Sequence, residues 1–218
     1  MRVVIAGGHG KIALLLERFL AERGDQAVGL IRNPVQAADV QKAGAEAVIC
    51  DLEAASVDDV AVLLSGADAV VFAAGAGPGS GAPRKDSVDR AASVLMADAA
   101  ERAGVRRFVQ VSSMGAGQPP RSGTDEVWAA YIAAKTAAEA DLRTRDLDWT
   151  IVRPGGLTDA PATGMIRLVP PPVPRGTVPR ADVAAVIAAL LENPGTRHQT
   201  LVLVSGDSSV AAAVHGIS

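Results

Sequence analysis

The sequence is poor in the residues that cross-link chains or stack on ligands. Only 3% of its 218 residues are aromatic, and Cys50 is its single cysteine, so an internal disulfide is excluded. We interpret Cys50 as a core thiol rather than a nucleophile, because no histidine lies near it in the sequence. The first apolar run, 3–6, is too short for a secretory signal or a membrane span, so the expected compartment is the cytoplasm.

The chain also lacks an excess of charge of either sign. It has 21 Lys and Arg residues against 24 Asp and Glu residues, and no block of like charge stands out. Nucleic acid and anionic membranes are therefore not expected as partners. We expect a small-molecule substrate instead. His198 and His215 are far apart and show no metal-ligand spacing, so we predict no metal site.

Short apolar runs alternate with longer segments of helical period. The predicted strands are 3–6, 27–31, 47–50, 69–74, 107–112, 149–153 and 200–204, and the predicted helices are 11–23, 34–43, 56–64, 86–103, 127–145 and 180–193. Parallel strands joined by helical crossovers predict an α/β fold: a doubly wound, parallel, seven-stranded sheet (Rossmann fold) with helices on both faces. We expect one domain over 1–218.

Two segments interrupt this alternation. Residues 75–83 read GAGPGSGAP, and residues 158–179 are rich in proline. Both are predicted to be loops over a site, the second being a small loop region on the substrate side.

Small residues recur every three positions where the first strand turns into the first helix. Gly7, Gly10 and Ala13 form a pattern with one residue more between the first two glycines than the common dinucleotide fingerprint. Glycines let the backbone approach a diphosphate, and the N-terminus of a helix attracts it. The turn therefore predicts nucleotide binding.

The end of the second predicted strand indicates which nucleotide is bound. Arg32 stands where an acidic residue would bind the ribose hydroxyls of NAD, and a cation favours the extra phosphate of NADP. We therefore expect NADP (NADPH) rather than NAD; the alternative for Arg32 is a solvated cation. Asp51, at the end of the third strand, is expected to meet the adenine edge or to cap the following segment.

The ordered motifs GGHGKIA, IRN, CDLE, FAAGAG, VSSMGA, YIAAK, IVRPGGLTD and PRADVA cover nearly the whole chain. In this order they resemble the extended and atypical short-chain dehydrogenase/reductases. The nearest resemblance is to atypical NAD(P)-binding proteins described as sugar epimerases or NAD(P)H-binding oxidoreductases. The set is specific for the superfamily and weak for any one reaction.

The resemblance implies a catalytic group of Ser113, Tyr131 and Lys135. The residues expected at the cofactor, from the turn and from the resemblance, are Gly7, His9, Gly10, Lys11, Ile12, Arg32, Asn33, Asp51, Leu52, Ala73, Ala74, Gly75, Tyr131, Lys135, Pro154, Gly155, Gly156 and Leu157. His9 is expected to present its backbone, and Lys11 to add charge near the diphosphate.

Hydride transfer to a carbonyl leaves an alkoxide that must gain a proton. A tyrosine with an ordinary pKa of about 10 does this poorly at neutral pH, and a nearby ammonium lowers that pKa. Tyr131 and Lys135 are one helical turn apart on one face, although such a spacing also arises by accident. Ser113 is expected to hold the substrate oxygen, with Ser112 as the alternative.

Other charged residues are further candidates. Asp89 stands near the place of an active-site asparagine of the family, where it either orders water in a proton path or faces solvent. Arg84 and Lys85 either attract an anionic substrate or phosphate, or form a solvated basic pair. Asp182 is expected to cap or order the turn before the last long helix.

The leading functional hypothesis is an NADP-dependent oxidoreductase that transfers hydride between nicotinamide and a small carbonyl or hydroxyl substrate. The alternatives are a nucleotide-sugar epimerase or dehydratase, a flavin or quinone reductase, and a non-catalytic NADP-binding redox sensor. The short segment 158–179 argues against a nucleotide-sugar substrate. The expected assembly is a monomer or a homodimer.

Overall fold

The computed structural model describes residues 1–77, 79–119 and 123–217. Its strands are β1 Arg2–Ala6, β2 Gln26–Ile31, β3 Glu46–Ile49, β4 Ala69–Phe72, β5 Arg107–Val111, β6 Asp148–Pro154, β7 Gly156–Thr158, β8 Met165–Val169, β9 Thr177–Pro179, β10 Gln199–Ser205 and β11 Ser208–Ser209. Its α-helices are α1 Lys11–Glu22, α2 Ala37–Lys42, α3 Val57–Leu64, α4 Ala82–Arg84, α5 Ala92–Ala103, α6 Glu126–Leu142, α7 Arg180–Glu192 and α8 Val210–His215. Short 3₁₀ helices cover Pro34–Gln36 and Pro194–Thr196, and a π-helix covers Lys85–Ala91.

The main sheet has the order β11-β8-β10-β6-β5-β4-β1-β2-β3 in the described part of the chain. The seven strands β1 to β6 and β10 are parallel and correspond to the seven predicted ones. The doubly wound α/β class is therefore confirmed. The strand order reverses between the neighbouring strands β1 and β4. Ligands of open α/β sheets bind at such a topological switch point.

The sheet is wider than predicted, because residues 158–179 are not simply a loop region. They contain β8, which pairs antiparallel with β10, and β9, which pairs with β7 in a separate small sheet. In β8, Ile166 and Leu168 are buried while their neighbours are more exposed, the period-two pattern of a strand covered on one face. Of the loop predicted over 75–83, Pro78 lies outside the described residues.

The central strands are buried on both faces, and each face has its own apolar core. Val3 and Ile5 of β1 point into one core, which includes Leu16 of α1 and is covered by α1 and α7. Val4 and Ala6 of the same strand point into the other, which is covered by α3 and α5. Uninterrupted apolar strands are typical of such a two-sided parallel sheet. No helix in the described ranges is both long and apolar enough to cross a bilayer.

The helix predicted over 86–103 is irregular in its first half. It is a π-helix from Lys85 to Ala91 and an α-helix only from Ala92, and it ends at Gly104, whose φ is +73°. A π-helical turn rotates the following side chains relative to an α-helix, and such turns are frequent at functional sites. Here the π-helix contains Asp89.

Polar side chains fix α6 and the start of α7. Asp125 caps α6 by accepting a hydrogen bond from the backbone N–H of Trp128. Further along α6, buried Glu139 accepts hydrogen bonds from Ser112 after β5 and from Arg153 in β6. Contrary to expectation, Asp182 does not cap α7 or order the turn before it; its carboxylate instead accepts the backbone N–H groups of residues 163 and 164, just before β8. These contacts set α6 against the carboxyl ends of β5 and β6.

Candidate active site

The turn between β1 and α1 has no room for larger side chains. Gly7 has a φ of +80°, and a Cβ there would lie 2.7 Å from the Cα of Ala74. A Cβ at Gly8 would lie 2.6 Å from the Cα of Gly29 in β2. Gly10 precedes α1, whose first N–H groups lack intrahelical partners and point out of the turn. The backbone here is a cradle that fits a diphosphate.

A buried carboxyl group lies beneath this turn. Glu17 of α1 is 0% exposed, and within the described residues neither of its oxygens has a hydrogen-bond partner. Its Oε1 packs so closely against β2 that a Cβ at Gly29 would be 2.6 Å from it. Burial raises the pKa of Glu17 to about 8, so the group is mainly protonated at neutral pH.

The carboxyl ends of β1 to β4 enclose a first cavity of about 380 Å³. Its lining contains the predicted cofactor residues Gly7, His9, Gly10, Arg32, Asn33, Asp51, Leu52, Ala73, Ala74 and Gly75, together with Gln36, Cys50, Glu53, Arg84 and Val88, which were not predicted for the cofactor. Asp51 also accepts the backbone N–H of Glu53, so it both caps the turn and faces the cavity. The first cavity therefore brings together ten of the residues that the sequence predicted for the cofactor.

One carboxylate in this cavity holds two arginines. Oε2 of Glu53 accepts hydrogen bonds from Arg32 at 2.9 Å and from Arg84 at 2.6 Å, and its other oxygen accepts one from Ser87 at 2.6 Å. The hydrogen bonds from Arg84 and Ser87 hold the pKa of Glu53 below its usual range. Two guanidinium groups are thus placed side by side at the end of β2 and β3.

A second cavity, of about 530 Å³, adjoins the first. Ala73, Ala74 and Gly75, at the end of β4, form part of both linings. The remaining residues of the second lining are Ile12, Gly77, Gly79, Ser80, Lys85, Asp89, Val111, Ser112, Asp125, Val127, Trp128, Tyr131, Lys135 and Leu157. The two cavities therefore form one groove across the carboxyl edge of the sheet, at the switch point.

Lys135 and Asp89 form a buried ion pair in the second cavity. The two side chains are 3.3 Å apart at Nζ and Oδ1, and the residues are only 3% and 1% exposed. Lys135 also donates a hydrogen bond to the carbonyl of Val111 at 3.1 Å, while Asp89 accepts the backbone N–H of Ala76. Burial lowers the pKa of Lys135, and the charge of Asp89 opposes this shift.

Tyr131 lies beside this pair, with the centre of its ring 5.9 Å from Nζ of Lys135. The side chain of Ser113 acts to lower the pKa of the phenol. Burial raises the pKa of Tyr131 to about 12, and the negative charge of Asp89 adds to the increase. The expected lowering of this pKa by Lys135 does not occur, because Asp89 neutralises the ammonium and itself faces the phenol. Tyr131 is a protonated hydrogen-bond donor at neutral pH.

Some predicted residues line neither cavity. The ammonium of Lys11 is bound to Asp159 at 2.7 Å, Pro154 is buried in β6, and Gly155 and Gly156 pack against Gly176 and Thr177. The predicted set missed the polar residues Glu53 and Asp125 and the apolar wall formed by Val127 and Trp128. No group of three or more His, Cys, Asp or Glu side chains that fits a metal ion occurs among the residues described.

Comparisons with known proteins also indicate a nucleotide-binding protein. The chain matches the model of the NAD(P)H-binding family over residues 7–194. The uncharacterized sugar epimerase YhfK of Bacillus subtilis is 33% identical over 215 residues, which cover 98% of this chain and 99% of that protein. A solved structure from Bacillus halodurans, provisionally named an NAD-dependent epimerase/dehydratase, is 34% identical, covers 99% of both chains and has a TM-score of 0.91. ChuY, an anaerobillin reductase from Escherichia coli O157:H7, is 27% identical, covers 96% of this chain and 99% of its own, and has a TM-score of 0.78.

Together, the fold, the groove and these relatives define an NAD(P)-dependent enzyme of the oxidoreductase class. The chain belongs to the NAD(P)H-binding family, as an atypical relative of the short-chain dehydrogenase/reductases. This confirms the predicted family, the predicted enzyme class and the prediction of a nicotinamide cofactor.

Proposed function

We propose that the protein is an NADP-dependent reductase of small carbonyl compounds. The observation that carries the proposal is that Tyr131 and Lys135 line a cavity that shares the wall Ala73–Gly75 with the nucleotide cavity. Ser113 lines neither cavity, whereas Ser112, the alternative serine, lines the second one. A substrate carbonyl in the second cavity would therefore lie next to the end of the nucleotide groove. When bound, the nicotinamide cofactor supplies the hydride.

The chain's own residues provide the proton and the orientation. Tyr131, with a pKa of about 12, holds its proton at neutral pH and donates it to the substrate oxygen as negative charge develops there. In the proposed site, the side chain of Ser113, which lowers the pKa of the phenol, orients Tyr131 towards the substrate oxygen. The raised pKa makes Tyr131 a weaker acid than an ordinary tyrosine, but the alkoxide that develops on the substrate is a stronger base than a phenolate and can still take the proton.

The preference for NADP rests on the two guanidinium groups in the first cavity. Arg32 and Arg84 are both placed by Glu53, and guanidinium groups bind phosphate through paired hydrogen bonds. An NAD-specific site would instead present an acidic side chain to the ribose hydroxyls at the end of β2. Glu53 is not free to bind the ribose hydroxyls in this way, because its Oε2 accepts hydrogen bonds from both arginines.

An epimerase that reduces and reoxidises its substrate within one cycle is the second candidate. The name of the Bacillus subtilis relative favours it. Against it, the segment from Thr158 to Pro179 is short, and five of its residues are in strand β8 and three in β9, which leaves little of it to enclose a nucleotide sugar. An epimerase would show no net consumption of the cofactor.

The test is NADPH consumption by the purified protein with aldehydes, ketones, quinones and flavins, with NADH as the comparison cofactor. We expect carbonyl reduction with NADPH, and a loss of about 100-fold or more in kcat in Tyr131→Phe because the proton donor is gone. NADPH affinity should stay unchanged in this variant, which shows that the groove is intact. Full carbonyl reduction by Tyr131→Phe would contradict the proton role and favour direct hydride transfer to a flavin or quinone.

A further inference from the structure

The second cavity buries more positive than negative charge. Lys85 and Lys135 are 8% and 3% exposed, and Asp89 is the one buried carboxylate among the described residues of the lining. Asp125 also belongs to the lining, but it is exposed and its carboxylate caps α6. Asp89 is paired with Lys135, and no carboxylate oxygen of the described residues forms an ion pair with Lys85. One ammonium therefore remains without a counter-charge.

Burial of an uncompensated lysine is costly, so its position calls for an explanation. The sequence has only four lysines, at positions 11, 42, 85 and 135, and two of them lie in this cavity. Nζ of Lys85 donates a hydrogen bond to the carbonyl of Gly77 at 2.8 Å and lies 5.6 Å from the ring centre of Tyr131. An ammonium has three donors, so two are left for a ligand beside the phenol.

The outer wall of the cavity is apolar and partly aromatic. Trp128 is 52% exposed, and its ring centre is 5.2 Å from that of Tyr131. Val127 and Leu157 are also exposed at this wall. Large apolar side chains left open around a concave site favour a flat, apolar ligand that covers them.

Lys85 does not line the cavity that contains the glycine-rich turn. Its neighbour Arg84 lines the first cavity and is bound to Glu53, whereas Lys85 lines only the second cavity. The two consecutive cations thus face the two ends of the groove.

We propose that the substrate is a flat aromatic or conjugated carbonyl compound with a carboxylate group, that Lys85 binds the carboxylate, and that Trp128 covers the apolar body. This substrate class rests on the proposed reductase function. It places the carboxylate near the phenol of Tyr131, which donates the proton to the carbonyl oxygen.

The experiment measures binding and turnover separately. Aromatic formyl carboxylates of one and two rings, such as 4-formylbenzoate, are compared with their methyl esters by calorimetry in the presence of NADP, and by NADPH consumption. The variants are Lys85→Met, the charge-conserving Lys85→Arg, and Lys42→Met, a control at an exposed lysine of α2. We expect the wild type to prefer the acids, and Lys85→Met to weaken acid binding about tenfold or more, the usual loss for a charged hydrogen bond.

The esters should bind equally well to all variants, Lys85→Arg should retain the preference for acids, and Lys42→Met should resemble the wild type. Equal binding of acids and esters by the wild type in every pair would overturn the inference, as would a loss of NADP affinity in Lys85→Met. Acid binding that depends on Lys85 without NADPH consumption would support the ligand class and reject the reductase. NADPH consumption with no preference for acids would support the reductase and reject the ligand class.

Discussion

The protonated carboxyl group of Glu17 predicts a specific dependence of stability on pH. Its pKa is about 8 in the folded protein and 4.5 in the ordinary, solvated state. The folded state therefore holds this proton more tightly than the unfolded state. The corresponding stability is complete below pH 4.5 and is lost as the pH rises towards 8.

The size of the effect follows from the pKa difference. Each pH unit between the two pKa values costs about 1.4 kcal/mol, because the unfolded state has lost the proton and the folded state has not. From pH 5 to pH 7 the loss attributable to Glu17 is about 2.5 kcal/mol. In Glu17→Gln the side chain keeps its shape and cannot ionise, so this part of the pH dependence disappears.

Urea unfolding of the wild type and Glu17→Gln at pH 5, 6, 7 and 8 measures the difference directly. Because all other titrating groups are shared, the stability of the variant relative to the wild type should rise by about 2.5 kcal/mol from pH 5 to pH 7. Glu22→Gln, at an exposed position of the same helix, should show no such rise. A flat difference for Glu17→Gln would mean that its carboxyl group is ionised and solvated in the folded protein.

Two further predictions concern the groove. Arg32→Ala should weaken NADPH binding about tenfold and leave NADH binding unchanged, because the variant loses a charged hydrogen bond to the extra phosphate. Calorimetry measures both affinities, with Arg18→Ala, at an exposed position of α1, as the control. An equal loss for both cofactors would exclude the phosphate role. Asp89→Asn should lower the pKa of Tyr131 from about 12, because a negative charge facing the phenol is removed. The absorbance of the phenolate reports this pKa directly, since Tyr131 is the chain's single tyrosine, and an unchanged titration would show that Asp89 does not face the phenol in solution.

The parallel part of the fold was predictable because its signals are local. Each buried strand is a short apolar run, and each crossover helix has its own period and end signals. Strand β8 was missed because it lies in a proline-rich segment and its apolar side chains, Ile166 and Leu168, alternate with polar or exposed ones. Its partner β10 is some 35 residues later in the chain, and such a pairing leaves no local signal.

The same limit applies to the site. The spacing of Tyr131 and Lys135 on one helix was sufficient to predict that they lie together. The effect of Asp89 on the phenol depends on a residue of another element, the π-helix, which the spacing on α6 does not reveal. Likewise, the burial of Glu17 depends on Gly29 in a neighbouring strand, so nothing in the helix sequence itself marks it.

Arg84 and Lys85, neighbours in the chain, serve opposite ends of the groove. A change in the short segment that carries them shifts both cations at once. With the roles proposed above for these two cations, cofactor choice and substrate choice are mutationally coupled. Divergence towards a new substrate through this segment would alter the nucleotide end as well, whereas Arg32 and Trp128, which lie on separate elements, offer independent routes.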